Sequence, residues 1–225
     1  MSVGTRRSEG SRQVKGEKRD RRRILAIAIV CCILIGIVFA VKSCEDTRTF
    51  SSERVAAAAR VKMPKWVEKD ILPLESNSRR GEYLEELTAI AIHYVGNPGS
   101  TARANRNFYG KDDTTVNSHF LVGLEGEVIW CLPLEEKSSA TSDRNRDTIS
   151  IEVCHPDEGG EFSPASYQAL VELTAWLCVE LDLSAKDVIR HYDATGKACP
   201  LYYVDNEEAW EQLKQDVAAE MKALS

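Results

Sequence analysis

The sequence predicts an α/β domain, a mixed central β-sheet flanked by helices, preceded by one membrane-spanning helix. Three observations carry this. Two short apolar runs, Ala89–His93 and Thr148–Val153, have the length and content of buried strands. Two longer stretches, one opening at Ser163-Pro164 and one spanning Glu207–Leu224, carry apolar residues at helical spacing. Ahead of them all stands an uncharged run of eighteen residues, Ile24–Val41. The order strand–strand–strand–helix–strand–loop–helix is that of a sheet with helices packed on it.

Charge divides the chain. Residues 1–23 hold nine Lys and Arg against Glu9, Glu17 and Asp20, a net charge of +6. The formal net charge of the whole is −6, which leaves −12 on the remainder. A basic tail alone would suit nucleic acid, but here a hydrophobic segment follows at once, so the split points to two compartments and to no nucleic-acid partner. At 1.5 Å per residue the run Ile24–Val41 reaches about 27 Å, close to the hydrocarbon thickness of a bilayer. Arg21, Arg22 and Arg23 flank it, so the N-terminus is expected in the cytoplasm and everything after Lys42 outside, on a single-pass anchor. A cleaved signal peptide is the competing reading, with Val38 and Ala40 as small residues near a cleavage point; the apolar run is long for one. Residues 42–62 read as a stalk, and residues 63–225 as one domain, expected to act as a monomer.

Within that domain, Met63–Arg80 carries Trp66, Ile71, Leu72 and Leu74 and reads as a segment packed on the domain. In Leu87–Gly99 the apolar run ends at His93 and meets a turn of Gly96, Asn97, Pro98 and Gly99. Ala89, Ala91 and His93 share one face and Ile90 and Ile92 the other, as in a central strand covered on both sides with His93 at its C-terminal end. Open α/β sheets bind ligands at such ends. Asn97–Thr115 reads as a loop and a short helix, with Phe108 and Tyr109 either lining a groove or, for Phe108, packing in the core. Ser118–Leu134 is a hairpin turning at Leu124–Gly126, with Glu-Gly in place of the favoured Asp-Gly. His119, at its start, reads as a hydrogen-bonded structural histidine.

Lys137–Asp147 is a polar, charged loop. In Thr148–Val153, Ile149, Ile151 and Val153 face one way and Ser150, Glu152 and Cys154 the other. A glutamate among apolar neighbours is costly unless paired or used. It is either a structural ion-pair partner or a general base whose pKa burial has raised. His155 reads as structural or surface. Ser163 caps a helix with Pro164 at its first position, burying Leu170, Val171, Leu173, Thr174, Leu177, Cys178 and Leu181. Val188 and Ile189 end a strand, His191 follows, and Gly196 and Pro200 break regular structure so that Lys197 and Cys199 can fold back over His191. The last helix turns Trp210, Leu213 and Val217 inward.

His93, His191 and Cys199 are the borderline nitrogen and sulfur donors that Zn2+ prefers, and three protein ligands leave the open position of a catalytic site. A closed structural site would draw a fourth ligand from His119, His155, Cys131 or Cys154, and that alternative stays open. Cys131, Cys154, Cys178 and Cys199 lack secreted-type spacing and are expected free.

Four segments, HYVGNPGSTA, SHFLVGLEGEVIWCLPL, TISIEVCHP and IRHYDATGKACP, in this order resemble the zinc-dependent N-acetylmuramoyl-L-alanine amidases of the type-2 amidase family, which includes phage lysozyme-type amidases and is related to peptidoglycan recognition proteins. The resemblance runs from about Trp66 to Val217. It implies peptidoglycan as partner and substrate, with cleavage of the amide between N-acetylmuramic acid and L-alanine of the stem peptide. It also implies that a zinc-activated water reacts with Glu152 as general base, and Lys197 is placed to stabilise the oxyanion. Two departures stand out. Relatives carry an aromatic-and-His stretch where this chain has Ser138, Ser139 and Ala140, and some use a Tyr where this chain has Ser118. A non-catalytic peptidoglycan-binding module is the alternative, and Cys199 argues against it.

Overall fold

The structure of the protein, a computed structural model, describes residues 52–224. Strand β1 spans Val67–Lys69, β2 Ala89–Tyr94, β3 Phe120–Val122, β4 Val128–Trp130, β5 Thr148–Val153 and β6 Val188–Arg190. Helix α1 spans Glu53–Ala58, α2 Ala102–Tyr109, α3 Pro164–Glu180, α4 His191–Thr195, α5 Leu201–Asp205 and α6 Glu207–Leu224. The six strands form one sheet in the order β1-β4-β3-β5-β2-β6. Its one antiparallel pairing is the β3–β4 hairpin; the other four are parallel, so the sheet is mixed as expected.

Alternation along the strands sorts the core into two layers. Ile90, Ile92, Ile149, Ile151, Phe120 and Val122 pack with Leu170, Leu173 and Leu177 of α3 and Trp210, Leu213 and Val217 of α6. On the other face Leu121, Ile129, Cys131 and Cys154 pack with Ala102 and Tyr109 of α2. Ser163 caps α3 by accepting from the Ser166 N–H, with Pro164 at the first position, and frees that helix to bury residues on most of its circumference. The hairpin turns at Gly126, whose φ of 86° lies in the left-handed region that a three-residue loop requires and glycine adopts without strain.

One expectation is corrected. Residues 42–62 are not all stalk: α1 inserts Val55 and Ala58 into the main core, and Arg54 donates to the Leu87 and Asp182 carbonyls. The segment Met63–Arg80 packs on the domain as expected, with Val67 and Leu72 in the core and Met63 against it, while Trp66 is 48% and Leu74 60% exposed. Phe108 is exposed at 44%, while Tyr109 turns inward.

Among the described residues no helix is long and apolar enough to cross a membrane. The basic tail 1–23 and the apolar run 24–41 lie outside the described residues.

If α1 belongs to the core, Val55→Ala in residues 50–225 should cost about 1–2 kcal/mol in urea unfolding, the transfer of two buried carbons plus a small cavity. An unchanged midpoint would return α1 to the stalk.

Candidate metal centre

The register of three parallel strands assembles the site. β2 pairs with β5 so that His93 lies beside Glu152, and β2 pairs with β6 so that Ile92 lies beside Arg190. His191, the next residue, therefore emerges at the level of His93. Both partners of His93 arrive on the face that α2 covers, opposite Ile92 and Ile151.

A single helical turn, α4, follows His191, and Lys197 and Cys199 lie beyond it on the loop expected. α4 ends at Gly196, whose φ is 78°, and the Gly196 N–H donates to the Tyr192 carbonyl at 2.7 Å. The chain then doubles back, and the Tyr192 N–H donates to the Cys199 carbonyl at 3.0 Å. This returns Cys199 Sγ to 3.9 Å from His93 Nδ1. Arg190 anchors the turn from behind, binding Asp193 in α4, the Tyr203 carbonyl and Glu207 in α6.

The donor atoms of His93, His191 and Cys199 all lie within 4.8 Å of one another, the one such group of three among the described residues. Tetrahedral zinc with ligands at about 2.0–2.3 Å sets its donor atoms about 3.5 Å apart, so small shifts would close the site. Two buried polar atoms point to a missing partner: His191 Nδ1 and Glu152 Oε2 make no hydrogen bond among the described residues. Glu152 Oε1 lies 4.0 Å from His93 Nδ1. The three donors thus fit a divalent, thiophilic cation with an open side facing Glu152.

Electrostatics agree. Burial pushes the Cys199 thiol up to about 12, reinforced by Glu152 and partly offset by the Tyr94 main chain and Lys197. Burial lifts the Glu152 carboxyl to about 8 against the pull of Lys197. His93 is held well below the ordinary imidazole value by burial, then by His191 and Lys197, and His191 is lowered by burial and Lys197. Burial thus disfavours the charged forms of both His93 and Glu152, whose Nδ1 and Oε1 lie 4.0 Å apart. A divalent cation among the donors would favour both the thiolate and the carboxylate.

Lys197 lines the same pocket, about 300 Å³ in volume, with Tyr94, Tyr109, Asn117, Ser139 and Ala140. An open groove of about 670 Å³ between Phe162, Tyr167, Tyr202 and Tyr203 is larger but shares none of these residues; the chemistry sits in the smaller cavity.

The alternative fourth ligands lie elsewhere. His119 accepts from the Ser150 N–H at Nδ1 (3.0 Å) and reaches the Glu136 carbonyl with Nε2 (2.8 Å), so it is the structural histidine expected. Both ring nitrogens of His155 are engaged by the Asp157 and Val95 carbonyls. Cys131, Cys154, Cys178 and Cys199 are free, as expected. Ser118 is buried, its hydroxyl donating to the Phe120 carbonyl and lying 3.1 Å from the Tyr109 hydroxyl.

Residues 84–201, more than half of the chain, match the N-acetylmuramoyl-L-alanine amidase family. The chain belongs to this amidase family. It is 26% identical over 175 residues to the N-acetylmuramoyl-L-alanine amidase BlyA of Bacillus subtilis (strain 168), covering 68% of this chain and 47% of BlyA. It is 30% identical over 155 residues to XlyA of the same organism, covering 66% of this chain and 50% of XlyA. The chain thus spans about half the length of the curated relatives it matches. The solved catalytic domain of XlyA superimposes with a TM-score of 0.59 at 28% identity, over 67% of this chain and 98% of that domain. The amidase-family match ends at Leu201, so it contains every residue that faces the metal pocket.

Sequence reasoning missed Thr141, whose hydroxyl lies 3.0 Å from His93 Nε2, and Asn117, which accepts from the Ser139 N–H and holds the pocket wall. Both are single polar residues in irregular segments, with no pattern to mark them.

If the three donors hold zinc, Cys199→Ser should weaken zinc binding by more than the roughly 10–100-fold that loss of an outer partner costs, while Glu152→Ala should keep full stoichiometry. Metal analysis of the two purified variants tests this, and zinc retained by Cys199→Ser would remove Cys199 from the ligand set.

Proposed function

We propose that the domain is a zinc-dependent peptidoglycan amidase, cleaving the amide between N-acetylmuramic acid and the L-alanine of the stem peptide. One observation carries the reading: in a chain of the amidase family, His93, His191 and Cys199 converge beside Glu152, whose buried Oε2 has no hydrogen-bond partner among the described residues. The substrate comes from the family; the chemistry comes from the pocket.

His93, His191 and Cys199 would hold the zinc, which supplies Lewis acidity to the carbonyl and lowers the pKa of water. Glu152 reaches into the same cavity from the neighbouring strand. Its carboxylate takes a proton from the attacking water and hands it to the leaving amide nitrogen, so that the amine departs neutral. The two-way transfer suits a group whose burial raises its proton affinity and whose neighbouring positive charges lower it again. Lys197 is the cation of the pocket wall and shifts Glu152, His93, His191 and Cys199 alike, so its ammonium is felt across the whole site. There it balances the negative charge that develops on the carbonyl oxygen. Ser139 and Ala140 line the same cavity with small side chains.

We further read the run Ile24–Val41 as a single-pass anchor with the basic tail in the cytoplasm, which would keep the domain at the outer membrane face, next to the polymer it cuts.

Purified residues 50–225 should release intact stem peptides with free N-terminal alanine from peptidoglycan, detected by mass spectrometry. A chelator should abolish the release and zinc restore it. Glu152→Ala should lose about 10²–10⁴-fold in kcat and Lys197→Met about 10²–10³-fold. Binding without product would make the domain a recognition module and Glu152 a structural residue. The full chain should sediment with membranes and resist alkaline extraction, and a chain lacking residues 1–41 should not; an extractable full chain would eliminate the anchor.

A further inference from the structure

We propose that Thr141 is a positioning residue of the metal centre: its hydroxyl fixes the His93 ring with Nε2 turned away and Nδ1 presented to the cation. This rests on the reading that His93, His191 and Cys199 hold zinc.

The geometry divides the two nitrogens of one ring. Nε2 lies 3.0 Å from Thr141 Oγ1, whereas Nδ1 faces Cys199 Sγ at 3.9 Å and Glu152 Oε1 at 4.0 Å. For Nδ1 to offer its lone pair, the ring proton must sit on Nε2, and a buried N–H needs an acceptor. Thr141 Oγ1 is the hydrogen-bonding partner of Nε2 among the described residues. His93 is 1% and Thr141 0% exposed, so bulk water cannot take over the role.

The hydroxyl is itself held in place. The Thr141 N–H donates to Asn145 Oδ1 at 2.6 Å, and the Thr141 carbonyl accepts from the Arg144 N–H at 3.2 Å. Both partners sit in the short 3-10 helix Ser142–Arg146. That helix is tied to the sheet, since Thr148 of β5 donates its hydroxyl to the Arg144 carbonyl at 2.7 Å and Arg144 reaches Thr88 just before β2. Threonine adds stiffness, because branching at Cβ restricts χ1. Ser142 adopts a φ of 56°, a left-handed conformation that costs a non-glycine residue energy and persists where its surroundings determine it. The segment 138–146 therefore does two things: Ser139 and Ala140 wall the cavity, and Thr141 holds a ligand from behind.

A purely structural threonine would affect stability and leave metal affinity alone. The test therefore reads metal affinity on residues 50–225, a compact unit with its own core. Zinc-free wild type, Thr141→Val and Thr141→Ser are titrated with zinc against a chromogenic chelator, and the cobalt-loaded proteins are compared by visible absorption. Valine keeps the shape and removes the acceptor. Thr141→Val should bind zinc about 10–100-fold more weakly with an altered cobalt spectrum, and Thr141→Ser should stay within about threefold of wild type. Wild-type affinity and spectrum in a folded Thr141→Val would overturn the role. A wild type that binds no zinc would overturn the metal centre itself, a distinct result. A measurement that needs no variant guards against misfolding: in the 15N-labelled, zinc-loaded wild type, His93 Nε2 should carry a slowly exchanging proton, and an unprotonated Nε2 would refute the assignment.

Discussion

The in-register parallel pairing of β2 with β5, and of β2 with β6, is the constraint from which the rest of the site follows. Side chains alternate along a strand, so a slip of one residue between β2 and β5 would carry Glu152 to the opposite face, among the leucines of α3. The alternation of Ile90 and Ile92 with Ala89, Ala91 and His93, and of Ile149, Ile151 and Val153 with Ser150 and Glu152, makes such a slip expensive. It would bury a carboxylate in an apolar layer and expose isoleucines to the pocket. The same hydrophobic pattern that builds the core thus also aims the chemistry.

The site is assembled from groups that burial disfavours in their charged forms. A thiol pushed to about 12 and a carboxyl lifted to about 8 sit beside two imidazoles whose pKa is depressed. Such a cluster gains little from its own contacts, and its buried atoms at His191 and Glu152 have no hydrogen-bond partner among the described residues. A divalent cation among the donors would relieve these penalties together. Lys197 contributes a weaker, more exposed positive charge from the loop that brings Cys199 back to His93.

Much of this was legible in the chain. His93 at the end of an apolar run, Glu152 against the grain of its strand, and the His191–Cys199 stretch each broke a local rule, and each stands at the pocket. The two helices at Ser163 and Glu207 were marked by capping chemistry and by apolar spacing. What escaped had no such mark. Helix α1 lies in an alanine-rich stretch whose Arg54 donates to the Leu87 and Asp182 carbonyls, far away in sequence. Strand β1 is three residues long and finds its partner β4 only through the tertiary fold. Residues 137–147 read only as a polar, charged loop; that the loop supplies the hydroxyl behind His93 depends on a contact across 48 positions.

By itself the sequence determined which residues alternate, which helices are capped and which side chains have metal-ligand chemistry, because these depend on neighbours one to four residues apart. Only the tertiary structure decided that His93, Glu152, His191 and Cys199 meet in one cavity, that Thr141 orients one of them, and that His119 and His155 do not join. Those outcomes depend on strand register and on the return of the chain at Gly196, which bring together atoms that nothing in their local sequence relates.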